Sequence, residues 1–199
     1  MAEEQTVQQE ATEERQERLD PETRARREAA LRHVRMYGDP VLRSRAREID
    51  VFDAALADEV QRMGNLMDDA LGIGLAATQL GVMHRLLVYR VEPDAPLGVL
   101  VNPEFEYKSD DVETMEEGCL SLPGVIVDVE RPVHIRVSAR DEHGEAIAIE
   151  ASGLEARVIQ HEVDHLDGVL ILDRTTREQR KEAIRTIRER EREEAEQAA

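Results

Sequence analysis

Between positions 52 and 67 apolar residues recur every three or four places: Phe52, Leu56, Val60, Met63 and Met67 fall on one helical face. Asp53 stands where an N-cap is needed and Gly72 where the segment can stop, so the pattern predicts a first core helix. Met63 and Met67 are read as packing. From Arg85 onward the texture changes to short β-branched runs at 86–91, 99–101, 125–129, 133–137 and 146–149, which are predicted as strands. Asp141-Glu142-His143-Gly144 reads as a hairpin loop with Gly144 at positive φ, leaving His134 and His143 on a hairpin surface rather than among ligands. A second helix is predicted to begin near Gly153, because Ser152-Gly153-Leu154-Glu155 has the form of a capping box ahead of an apolar run. Leu154, Val158, His161 and His165 then share one stripe, and Ile159, Val163 and Leu166 another; a helix apolar on two sides is buried. Gly168 is its expected stop. The expected fold is α+β, with antiparallel strands packed around a buried central helix and helical extensions at both ends.

Composition defines the ends. Residues 1–30 are rich in Glu, Arg and Gln and poor in large apolar groups, so they read as a charged extension, helical or disordered, that builds no core. The globular part starts near Val34, and Tyr37-Gly38-Asp39-Pro40 marks a turn. Residues 174–199 read as a charged helix; from Arg174 to Arg190 there are seven basic and three acidic residues in a chain whose net charge is −18. That overall charge argues against a general nucleic-acid binder. No apolar run is long enough for a membrane span, and the first thirty residues suit neither a signal peptide nor a transit peptide, so a cytoplasmic monomer is expected. The single cysteine, Cys119, excludes an internal disulfide framework.

The chemistry is concentrated in His161-Glu162-Val163-Asp164-His165. Histidines at i and i+4 reach one ion from one helical face, and Glu162 beside them is the candidate general base for metal-assisted hydrolysis. Residues 31–173 are therefore read as a metallohydrolase domain. A third protein ligand is required. The pattern HExxHxxGxxH would need histidine at 171, where the chain has Ile171, so a three-histidine site is excluded. Glu178 or Glu182 would complete the site of a zinc endopeptidase; Cys119, in Glu117-Gly118-Cys119-Leu120-Ser121, is the other choice. Asp164, turned away from the ligand face, is assigned a supporting ion pair. Outside catalysis, a structural metal module stays open. A dinucleotide reading of Gly72-Ile73-Gly74 fails, since Ala77 replaces the third glycine and helix, not strand, precedes it.

Three segments in order, Gly72-Ile73-Gly74-Leu75-Ala76-Ala77-Thr78-Gln79, then Glu117-Gly118-Cys119-Leu120-Ser121, then the HExxH helix, resemble those of the peptide deformylases in their compact bacterial form. The likeness runs from about Val34 to Leu172 and does not reach the first thirty residues. It implies removal of the N-formyl group from the N-terminal methionine of new polypeptides, with release of formate. It also implies one Fe(II) per chain on Cys119, His161 and His165, replaceable by Zn, Ni or Co. By the same likeness Glu162 is the base, while the Gln79 amide and the Leu120 backbone N–H stabilise the oxyanion. Gly72 and Gly74 are expected to let the peptide backbone approach as an added strand. Leu154 and Val158 are candidates either to line the methionine pocket or to pack in the core, and the C-terminal helix either to meet ribosomal RNA or to be neutralised by the acidic domain and its own Glu residues.

Overall fold

The run Leu86-Leu87-Val88-Tyr89 is apolar without a break because the strand it forms is covered on both faces. In the computed structural model, which describes residues 19–197, Leu87 and Tyr89 face one core cluster while Leu86 and Val88 face another. The helices are α1 (Pro21–Leu31), α2 (Ala54–Asp69), α3 (Gly153–Leu166) and α4 (Arg177–Gln197). The strands are β1 (Gly74–Ala76), β2 (Leu86–Tyr89), β3 (Gly98–Lys108), β4 (Val112–Cys119), β5 (Leu122–Pro132), β6 (His134–Arg140) and β7 (Ala146–Ser152). They build an antiparallel five-stranded sheet in the order β1-β2-β3-β6-β7 and a separate β4-β5 hairpin. The fold is the expected α+β arrangement around a buried HExxH helix.

Helix α3 packs its Ala156, Ile159, Val163 and Leu166 against Leu87, Leu100, Ile135 and Val137 of the large sheet. On the other face α2 inserts Leu56, Val60, Met63 and Met67 against Leu75, Leu86, Val88 and Val101. These are the residues of the predicted helical stripe, and Asp53 caps them by accepting from the Ala55 and Leu56 amides. A third cluster joins Leu122, Val125, Val127 and Val129 of β5 to Leu170, Ile171, Leu172 and Ala183, with Ile184 and Ile187 of α4 beside them. Charged as it is, α4 is bound to the body along one apolar edge.

Several local expectations change. Helix α2 ends in a Schellman turn, Leu71 N–H bonding Asp68 and Gly72 N–H bonding Met67, so the left-handed residue is Leu71 (φ 59°) and not Gly72. The capping box at Ser152 does not form: Ser152 Oγ lies 2.8 Å from His134 Nδ1, and Glu155 accepts from the Tyr89 hydroxyl at 3.0 Å. Strands β1 and β4 were not foreseeable by alternation. The first is three residues long and buried throughout, and the second is an edge strand whose Val112 and Met115 are exposed. Strand β3 continues past Val101 through a bulge at Asn102-Pro103. Asn102 holds a positive φ there because its side-chain amide bonds both the N–H and the C=O of Ile49. Of the residues expected to form an N-terminal extension, 1–18 lie outside the described part. The remainder forms α1, whose Ala30 is buried and which packs on α2, so this segment does contribute to the core.

Candidate metal centre

Three atoms able to ligate a metal converge from two elements. Cys119 ends β4 where the hairpin register shifts between Gly118 and Cys119, turning the sulfur toward α3; His161 and His165 come from one face of that helix. Their ligating atoms lie within 4.8 Å of one another, with Cys119 Sγ 3.2 Å from His165 Nε2. Glu178 and Glu182 lie on α4 and take no part in this group; Glu182 pairs with Arg185.

One of the two imidazoles is held by a carboxylate. His161 Nδ1 sits 3.0 Å from Glu117 Oε2, which leaves its Nε2 to face an ion, an arrangement that fixes ring orientation at metal sites. Burial and the neighbouring His161 push His165 well below its ordinary range, keeping it in the neutral form that ligates. Glu162 is 4 % exposed, and burial, opposed by His161 and Arg131, pushes its carboxyl up to about 7. A carboxyl so poised can take up and return a proton near neutrality. Among the described residues Glu162 Oε2 and His165 Nδ1 are buried without a hydrogen-bond partner. An orphaned carboxylate oxygen of Glu162 beside a thiol and two imidazoles fits a bound divalent ion with its solvent.

Gln79 is buried next to the sulfur. Its Oε1 accepts from the Ala76 N–H at 2.9 Å, which turns Nε2 toward Cys119 Sγ (3.7 Å) and Ser121 Oγ (3.3 Å). Leu120 lies in the tight turn joining β4 to β5 and lines the same cleft. Gly74 has a reason close at hand, since a Cβ there would sit 2.4 Å from Glu162 Oε1 and drive the carboxylate off position. At Gly72 a Cβ would crowd Leu120 Cδ1 at 3.1 Å. Gly72, Gly74, Gln79, Cys119, Leu120 and Glu162 line a cleft of about 630 Å³. Val158 lines it and also belongs to the core; Leu154, 46 % exposed, stands at its rim with Leu71, Ile73 and Ile126. Strand β1 borders the cleft and, among the described residues, pairs only with β2, which leaves its other edge without a partner strand there.

Sequence reasoning missed the charge network beneath the site. Glu117 receives Arg131 Nε (2.6 Å) and Nη2 (2.9 Å) as well as Arg157 Nη1 (2.7 Å). Asp164 receives Arg131 Nη1 (2.8 Å) and Arg174 Nη2 (2.6 Å), the supporting ion pair expected of it. Burial alone would raise the Glu117 carboxyl, but Arg131 and His161 outweigh it and hold the group well below the usual carboxylate range. A depressed carboxyl contributes stability above its unfolded pKa that is lost as pH falls, so this network weakens on acidification. The available signal was Arg157, a cation inside a helix apolar on two sides. Arg131→Leu takes from two buried carboxylates the cation they share, leaving Glu117 to Arg157 and Asp164 to Arg174, and is expected to cost about 1.5–3 kcal/mol, read as a lower urea midpoint at pH 7. An unchanged midpoint would mean the network is dispensable.

An α+β fold that buries an HExxH helix and brings a cysteine onto its histidines has the make-up of a hydrolase of the metal-ligating class. The family profile described as polypeptide deformylase matches residues 31–181, and the chain belongs to that family. Peptide deformylase 1 of Corynebacterium glutamicum is 44 % identical over 161 residues, 80 % of this chain and 95 % of that protein. The peptide deformylase of Clostridium botulinum is 47 % identical over 148 residues, 74 % of this chain and 99 % of its own. The crystal structure of a Synechococcus elongatus peptide deformylase in complex with actinonin superposes with a TM-score of 0.74 at 43 % identity, covering 77 % of this chain and 85 % of that one. Among the described residues no helix is long and apolar enough to cross a membrane.

Proposed function

We propose that the chain hydrolyses the formyl group from the N-terminal methionine of newly made polypeptides in the cytoplasm, releasing formate. The observation that carries this is the convergence of Cys119, His161 and His165 beside the buried carboxyl of Glu162, in a member of this family, at the floor of an open-ended cleft. Cys119, His161 and His165 would hold one divalent ion. Fe(II) is the expected occupant, and Zn(II), Ni(II) or Co(II) would suit the same donors. When bound, that ion supplies Lewis acidity to a water and to the formyl oxygen.

The chain's own residues do the rest. Glu162 removes the proton of the attacking water and later delivers it to the departing amine of methionine, using the oxygen that has no partner among the described residues. Gln79, its carbonyl tied to Ala76, points its amide N–H groups to the side of the sulfur, and with the Leu120 N–H it stabilises the negative oxygen that develops. The open edge of β1, from Gly74, receives the peptide backbone, with Gly72 just upstream. Val158 and Leu154 meet the methionine side chain. Formate release from formyl-Met-Ala-Ser, with metal content measured in the same sample, tests the reading.

A contact between α4 and ribosomal RNA is a further part of the proposal. Arg180 and Arg185 are paired within the chain, whereas among the described residues Arg177, Lys181 and Arg188 are exposed and carry no ion pair. Because α4 is bound to the core, charge removal at these three positions is a cleaner test than truncation. The triple change to Gln is expected to reduce salt-sensitive co-sedimentation with ribosomes, and unaltered sedimentation would dispose of the contact.

A further inference from the structure

Helix α1, apart from its last residue, lies outside the span that the family profile matches, yet Arg27 and Leu31 line the same cleft as Cys119, His161 and Glu162. The helix is fixed in place. Asp20 caps it through the Glu22 and Thr23 amides, Ala30 is buried against α2, and Arg26 pairs with Asp69 at 3.3 Å. Arg27 is half-buried, and among the described residues it makes no hydrogen bond or ion pair. The other arginine of the cleft, Arg157, is fully engaged with Glu117 and with the carbonyls of Val129 and Glu113. The remaining charged linings apart from His161, namely Glu116, Glu117 and Glu162, are carboxylates. A positioned guanidinium without a partner therefore stands on the wall of a cleft in a chain of net charge −18.

We infer that Arg27 determines specificity within the proposed deformylase reaction, ion-pairing with an acidic side chain of the substrate downstream of its formyl-methionine. This rests on the functional reading above. A peptide whose first residue is held at Glu162 must leave along the cleft walls, one of which is α1. Of the groups such a peptide carries, a carboxylate best matches a free guanidinium fork. The pairing would offset locally the repulsion that so acidic a protein imposes on acidic substrates.

The test uses the full-length, metal-loaded protein and C-terminally amidated formyl-Met peptides carrying Glu or Gln at the second, third or fourth position, so that the side chain is the only carboxylate. At low salt one position is expected to give a kcat/KM ratio of Glu over Gln of roughly three to five, the range of a part-exposed ion pair. The effect should lie in KM and fade as salt is added. The ratio is expected to fall to about one in Arg27→Gln, to invert in Arg27→Glu and to return in part in Arg27→Lys. Ratios that are the same in the parent and in Arg27→Gln at every position would overturn the inference. Should no formylated peptide be turned over, the deformylase reading itself fails. Anisotropy of labelled, amidated Met peptides carrying Glu or Gln at the second, third or fourth position then reads Arg27 directly, and equal binding of every Glu and Gln pair by the parent overturns the inference as well.

Discussion

Replacing Glu162 by Gln is expected to lower kcat for formate release by about 10²–10⁴-fold while leaving metal content and fold intact. The amide has the shape of the carboxylate but cannot accept a proton from water. Little is lost with the charge, because Glu162 Oε2 has no hydrogen-bond partner among the described residues and burial, opposed by His161 and Arg131, pushes this carboxyl up to about 7. The melting temperature of the variant should equal or slightly exceed that of the parent, since a neutral amide is less costly to bury than a carboxylate. Near-normal turnover in the variant, with metal retained, would take the proton-transfer role away from Glu162.

Cys119→Ala is expected to abolish both retention of the ion through dialysis and formate release. Two imidazoles alone do not make the three-ligand site that a catalytic ion needs. The fold should survive, because Cys119 lies at the edge of the third core cluster and its truncation removes one sulfur from a partly exposed position. Stoichiometric ion in this variant would mean that some other group completes the site, and Glu178 or Glu182 would return as candidates. Taken together the two variants separate holding the ion from using it.

Much of this centre was legible in the sequence because helical spacing fixes geometry. His161 and His165 at i and i+4 had to share a face, and the apolar residues on both flanks had to bury that face. The stripe from Phe52 to Met67 likewise fixed which side of α2 meets the sheet. Spacing could not decide between Cys119 and a glutamate of α4, since the hairpin that delivers the sulfur contains β4, a strand too polar and too exposed to show alternation. The resemblance to peptide deformylases, not periodicity, pointed to Cys119.

What stayed hidden depends on contacts between segments distant in sequence. Glu117 was visible only as the first residue of the segment that carries Cys119, yet its carboxylate joins β4, β5 and α3 through Arg131, Arg157 and His161. Gly74 looked like an opening for substrate, and the nearest atom a Cβ there would meet proves to be Oε1 of Glu162. The capping box at Ser152 failed because both of its side chains found partners elsewhere, in His134 and Tyr89. In each case a local rule was overridden by a partner that only the folded chain brings near.

The central claim is that a thiolate, two imidazoles and the adjoining carboxyl form a deformylating centre. Anaerobically purified protein, assayed for formate release from formyl-Met-Ala-Ser with metal analysis of the same sample, measures it most directly. Formate should appear in proportion to bound ion, reaching full activity near one equivalent of iron per chain. Protein carrying a full equivalent of iron that releases no formate would contradict the account.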